Sequence, residues 1–182
     1  MRLQFGTVHA AFSEAVKQIS PAEWVARPYA GANLLGFTAW HVPAAQDWAL
    51  HTWMRGVPEI RGAPDRNLPG INPPFAPFGM SMDEADGIAR AVSPGDVLAY
   101  ADAVLVAANK LFDGMTDADL ERVGDKRTWG VRTPQHQTPG YLEEVDDMYD
   151  MPAWRVLTGP CFGNARGHVG EMYVILEMLR AR

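Results

Sequence analysis

The chain has 182 residues, enough for one domain spanning 1–182, and 47% of them are hydrophobic, which allows a sizeable core. A net charge of -6 argues against general binding to nucleic acid or to an anionic membrane, both of which want clustered Lys and Arg. The single cysteine, Cys161, excludes an intrachain disulfide and a thiolate metal cluster. No apolar run reaches the roughly 18 residues of a membrane span. The N-terminus lacks a signal-peptide pattern, so a cytoplasmic protein is expected.

The first helix is expected from Leu3 to Ile19, where Leu3, Val8, Phe12, Ala15, Val16 and Ile19 recur at 3- and 4-residue spacing and make one buried stripe. Ser20-Pro-Ala-Glu23 reads as a capping box opening a short turn that carries Trp24. Asn33 is expected to cap a second long helix, Leu34 to Arg55, ended by Gly56 and Pro58. Pro43 inside it predicts a kink or a late start.

From Val57 to Met80 prolines and glycines erase any hydrophobic period, which predicts a long loop. Its Ile71, Phe75 and Phe78 suit a cover lying over the surface. Ser81-Met-Asp-Glu84 caps a short helix to Val92, and Ser93-Pro-Gly-Asp96 caps a long one, Val97 to Met115. Thr116-Asp-Ala-Asp119 opens another turn. Arg122 to Gln137, with Trp129-Gly130 and Pro134, is expected as a loop or small hairpin. Tyr141 to Met151 is acidic and expected to be solvated or at an edge. The last long helix should run from Phe162 to Leu179, with Val169, Met172, Leu176 and Leu179 as its stripe. Long helices without convincing strands predict an all-α four-helix bundle. Six tryptophans and nine methionines suit a pocket or a subunit contact, and suit a well-filled core better.

Two histidines sit in apolar, helix-patterned segments more than a hundred positions apart: His41 and His168. An imidazole on an apolar helix face is costly unless a partner satisfies it, so each is expected to meet the other, directly or through a metal ion. On a helical wheel Asn164, Met172, Ile175 and Leu179 lie within about 40° of His168, and Glu171 lies about 60° to the other side, placed to orient the imidazole. Phe37 and Trp48 share the direction of His41, which makes Trp48 its expected wall, while Asp47 falls on another face. His41 with the Asn164-x-x-x-His168 pair has the layout of a bundle-core metal site, one donor from one helix and an i, i+4 pair from another.

The pattern Gly36-x-x-x-Trp40-His41, followed by Asp47-Trp48 and Arg55-Gly56, with a last helix bearing Gly167-His168-x-Gly170-Glu171, resembles the DinB-like superfamily of damage-inducible and thiol-transferase-like bacterial proteins. The resemblance implies a four-helix bundle, often a homodimer. In many members it implies a divalent ion, zinc or nickel, held by three histidines: one from the second helix and an HxxxH pair from the last. In the related mycothiol-dependent maleylpyruvate isomerases the pair is ExxxH. Carried over, His41 matches the second-helix ligand, His168 the last ligand, and Asn164 stands where the remaining one would be.

The resemblance thus implies His41, Asn164 and His168 as the metal set, and the spacing makes His41, His168 and Glu171 the expected catalytic groups. Phe37, Trp48, His51 and Asn164 are expected to line the pocket. The implied activity is metal-dependent hydrolysis, or transfer or isomerisation with a low-molecular-weight thiol as co-substrate. Two other readings stay open: a metal-free module that binds a small molecule, and a dimeric structural module whose histidines satisfy one another. His9 and His136 are expected at the surface, and Cys161 as a small buried hydrophobe. Asp47 is expected in structural use, accepting from Trp or Arg side chains.

Overall fold

The computed structural model describes residues 1–62, 76–124 and 134–182. Four long helical paths form the bundle. α1 (Arg2–Lys17) is the first, and a short α2 (Pro21–Trp24) follows it. The second path is α3 (Leu35–Asp47) continued by a π-wound segment, Trp48–Trp53. α4 (Met82–Ala91) lies beside it, and α5 (Pro94–Asp113) is the third path. Short α6 (Asp117–Glu121) and α7 (Pro139–Val145) lead to the fourth. That path is α8 (Ala153–Val156), a π-wound Leu157–Gly163, and α9 (Asn164–Arg180). α3 packs on α5 and α9, and α1 packs on the same two, which closes the four-helix ring. The described residues form no strand, only an isolated bridge between Val123 and Pro152. The expected all-α bundle is the observed architecture.

Local chemistry sets the helix starts. Ser20, Ser81, Ser93 and Thr116 each accept a backbone N–H while Glu23, Glu84, Asp96 and Asp119 reach back to the capping residue. These reciprocal bonds satisfy donors that a helix start otherwise leaves open. Asn33 does not cap α3. Leu34 is the capping residue, with no side-chain bond, and the Leu35 N–H goes to the Ala26 carbonyl at 3.0 Å. Pro43 neither delays nor ends α3, which begins at Leu35 and runs through it. The irregularity falls later, at Trp48–Trp53, and has its counterpart at Leu157–Gly163, where Pro160 has no N–H to give. These two π-wound segments pack together, and the Gln46 side chain donates to the Cys161 carbonyl at 3.1 Å.

Four of the six tryptophans fill the interior: Trp24, Trp40, Trp48 and Trp53 are all buried. Phe5, Phe112 and Phe162 meet as a ring trio that ties α1, α5 and the last path together. Gly36 lets the Trp24 indole lie on α3, since a Cβ there would sit 2.5 Å from its ring nitrogen, which itself donates to Ala89 and Val92 carbonyls. Gly36→Ala is therefore expected to cost about 1–3 kcal/mol by overpacking, measured by urea unfolding. An unchanged midpoint would show that the Trp24 contact is soft.

The proposed cover is only partly within the described residues. Ile71 and Phe75 lie outside them, as do Trp129 and Gly130 of the expected loop or hairpin. The acidic segment is helical, with Tyr141, Val145 and Tyr149 buried and its carboxylates exposed. Among the described residues no single helix is long and apolar enough to cross a membrane.

Candidate functional site

His41 comes from the second turn of α3 and His168 from the second turn of α9, and the packing of these helices brings them together. Their ring centroids are 4.8 Å apart, edge to face. His168 Nδ1 lies 2.6 Å from Glu171 Oε2, and its Nε2 lies 3.2 Å from Asn164 Nδ2. With Nδ1–H donated to the carboxylate, Nε2 carries the lone pair that the amide N–H meets. Glu171 thus orients His168 as its spacing suggested.

The two residues line a cavity of about 380 Å³ together with Phe37, Thr38, Phe78, Met80, Met148 and Asn164. Phe78 stands over His41, its ring edge-on at 5.8 Å, and meets Trp48 at 4.9 Å. Trp48 is therefore one ring removed from His41 rather than its direct wall, because Phe78 of the incoming segment fills that place. Phe37, 5.9 Å from His41, is the neighbour the wheel indicated. Gly79 locks the segment down. Its φ is +66°, and a Cβ there would lie 2.1 Å from the Gly140 carbonyl carbon, so only glycine lets this backbone touch the start of α7.

Two polar atoms in this cluster are buried without a hydrogen-bond partner: His41 Nδ1 and Asn164 Oδ1. Burial first, and the neighbouring His168 second, push His41 down to about 4, against the opposing pull of the Pro77 carbonyl, Glu171 and Asn164. His41 is then neutral near physiological pH, and the pair does not carry two positive charges.

The donor set departs from the three histidines that hold the ion in many members of the family. A cation here would find two imidazoles and an amide oxygen. Among the described residues, no three His, Cys, Asp or Glu side chains converge as metal ligands. A neutral amide is a weak donor to zinc or nickel, so these residues do not fit a resident centre of that kind.

His51 lines a different cavity from His41, because the helical path turns it to the other side. There a buried polar network forms that the sequence reading left unassembled. Asp47, wholly buried, receives the Tyr100 hydroxyl at 2.6 Å and the Ile60 N–H at 3.0 Å, and lies 2.7 Å from His51 Nδ1. Its partners are thus a tyrosine, a histidine and backbone rather than Trp or Arg side chains. Glu59 accepts from Arg61 Nε at 2.6 Å and Thr52 Oγ1 at 2.9 Å, and meets His136 Nε2 at 3.0 Å. His136 is buried, not at the surface, because Glu59 gives it a charged partner inside. His9 is half-buried against Asp102 at 2.9 Å. The Asp47-x-x-x-His51 spacing was the one sequence signal for this network. Cys161 is buried and its thiol is held well up by desolvation, which suits a small hydrophobe.

Fold and cavity define an all-α bundle with an imidazole-walled pocket between its second and fourth helical paths. A family model described as the DinB superfamily matches residues 4–143, well over half of the chain and the segment holding His41. The chain belongs to the DinB superfamily. The matched stretch ends before α9, so Asn164, His168 and Glu171 lie beyond it. No curated protein and no solved structure was found to match the chain.

Proposed function

We propose that the His41–His168 pocket takes a small organic molecule bearing a hydrogen-bond donor, a low-molecular-weight thiol in the transferase-like reading of the family. The observation that carries this is the pair of buried polar atoms, His41 Nδ1 and Asn164 Oδ1, neither of which makes a hydrogen bond of good geometry within the protein. Leaving such atoms unmet costs about 1–3 kcal/mol each, and a ligand donor removes that cost. Phe37, Phe78 and Met80 supply apolar wall for the rest of the molecule.

The chemistry follows from the tautomer. Glu171 holds the Nδ1–H of His168, so Nε2 is the proton acceptor facing the pocket. A bound thiol displaces the Asn164 amide N–H from Nε2 and gives it the S–H proton; the thiolate then adds to a polarised double bond of an electrophilic co-substrate, and the carbanion or oxyanion so formed takes that proton back from the imidazolium. The imidazolium that forms is stabilised by the Glu171 carboxylate. His41, neutral, accepts a second hydrogen bond and positions the ligand. None of these steps needs a metal.

A second reading has the same two lone pairs holding a divalent ion beside His168. Metal analysis of protein purified without a histidine tag separates the two. The expected result is less than about a tenth of an equivalent of zinc or nickel, since two imidazoles and an amide are a weak set. Asn164→His should restore three imidazoles and take up close to one equivalent of zinc. A stoichiometric metal in the natural protein, lost in His41→Ala, would overturn the metal-free reading.

A further inference from the structure

We propose that the protein has a second small-molecule site, for an organic carboxylate that carries a hydroxyl or N–H group, in the cavity beside His51. This cavity, of about 630 Å³, opens between the far end of the second helical path and α5. Its size is that of an ordinary ligand pocket. It lies about 15 Å along the helix from His41, by the α-helical rise per residue, and shares no lining residue with the first pocket.

Three observations converge on it. The first is His51 itself, only 6% exposed. Asp47 takes its Nδ1, and Tyr100 and the Ile60 N–H hold Asp47 in turn. The ring cannot turn without breaking this chain of bonds. Nε2 has no partner among the described residues, yet it is not one of the fully enclosed orphan atoms. The surface this ring retains therefore faces the cavity it lines, and Nε2 offers a fixed acceptor there.

The second is charge. The chain is negative as a whole at -6, but this wall carries Arg55, Lys110 and Arg122. Among the described residues Arg55 and Lys110 make no ion pair, and Arg122 donates to the Met54 carbonyl. The one acid on the wall, Asp119, accepts from the Thr116 N–H at 2.9 Å and the Thr116 hydroxyl at 2.7 Å and faces Arg122, so Arg55 and Lys110 are the cations left over. The mouth is thus cationic and able to pair with a carboxylate. The third is the apolar floor, formed by Met54, Ile60, Leu111 and Met115, which suits a ring or short hydrocarbon body. A ligand meeting all three has a carboxylate on Arg55 and Lys110, an apolar middle, and a donor on His51 Nε2.

Indole-3-acetate has these parts, and naphthalene-1-acetate lacks the N–H. Calorimetry of the full chain with each probe, alongside methyl-labelled methionine spectra, tests the site. Indole-3-acetate is expected to bind more tightly than naphthalene-1-acetate and to shift the methyl signals of Met54 and Met115. Those of Met80 and Met148, which line the first pocket, should stay. The exposed double substitution Arg55→Ala, Lys110→Ala leaves the buried network intact and should weaken binding by about fivefold or more, the worth of an exposed charge pair. No binding at millimolar probe, shifts on Met80 and Met148 instead, equal affinity for the two probes, or a smaller loss in the double variant would each overturn the proposal.

Discussion

Asp47→Ala is expected to lower the unfolding free energy by about 3–5 kcal/mol, the range for removing one partner of a buried charged cluster. The carboxylate is wholly buried and receives the Tyr100 hydroxyl, the Ile60 and Arg61 N–H groups, and the His51 imidazole. Alanine strands all of these in a dry interior. It also frees the Ile60–Gly62 turn from the bundle, since Asp47 is what the backbone of that turn bonds. The Tyr100 proton is held strongly: burial first, and the Asp47 charge second, push its ionisation well above the usual range. Asp47→Asn keeps the shape and one acceptor, and is expected to cost about half as much. Urea unfolding followed by circular dichroism measures both. A loss under about 1 kcal/mol for alanine would show that the network is not what ties the turn to the bundle.

Acid should unfold the protein in a window set by Glu59. Burial alone would raise this carboxyl, but the Arg61 guanidinium and then His136 overcome it and hold it down, from 4.5 to about 2. A folded-state value below the unfolded one means that the unfolded chain binds a proton first as pH falls. The stabilisation is therefore fully present above pH 4.5 and is lost progressively as pH drops toward 2. Glu59→Gln should flatten that part of the profile. At neutral pH it should also destabilise, because Arg61, buried and packed over the Trp40 ring at 5.5 Å, loses its counter-charge. Urea midpoints taken at neutral pH and through the acid range check both. A variant with the same acid slope as the natural protein would remove Glu59 as its source.

The capping boxes at Ser20, Ser81, Ser93 and Thr116 were readable because a cap is local: the residues that bond are three apart. The bundle was readable because stripes such as Val8, Phe12, Ala15 and Val16 record which face is buried. His41 and His168 could be picked out as costly imidazoles on apolar faces, and Glu171 as the carboxylate three residues from His168. Phe78 could not be placed against His41. It reaches the site from the far end of a proline-rich loop, where no period reports direction. His136 was read as a surface residue for the same reason, because its partner Glu59 is 77 positions away.

The pattern of apolar spacing and caps alone dictates an all-α bundle with two histidines turned inward, since helix formation and facial burial depend on residues a few positions apart. Only the packing of the helices decides that those rings stand 4.8 Å from one another, that Phe78 closes over His41, and that Asp47 and His51 build a second polar centre on the opposite side. Such pairings join groups far apart in the chain, and a buried charge is tolerable only where the fold delivers its partner.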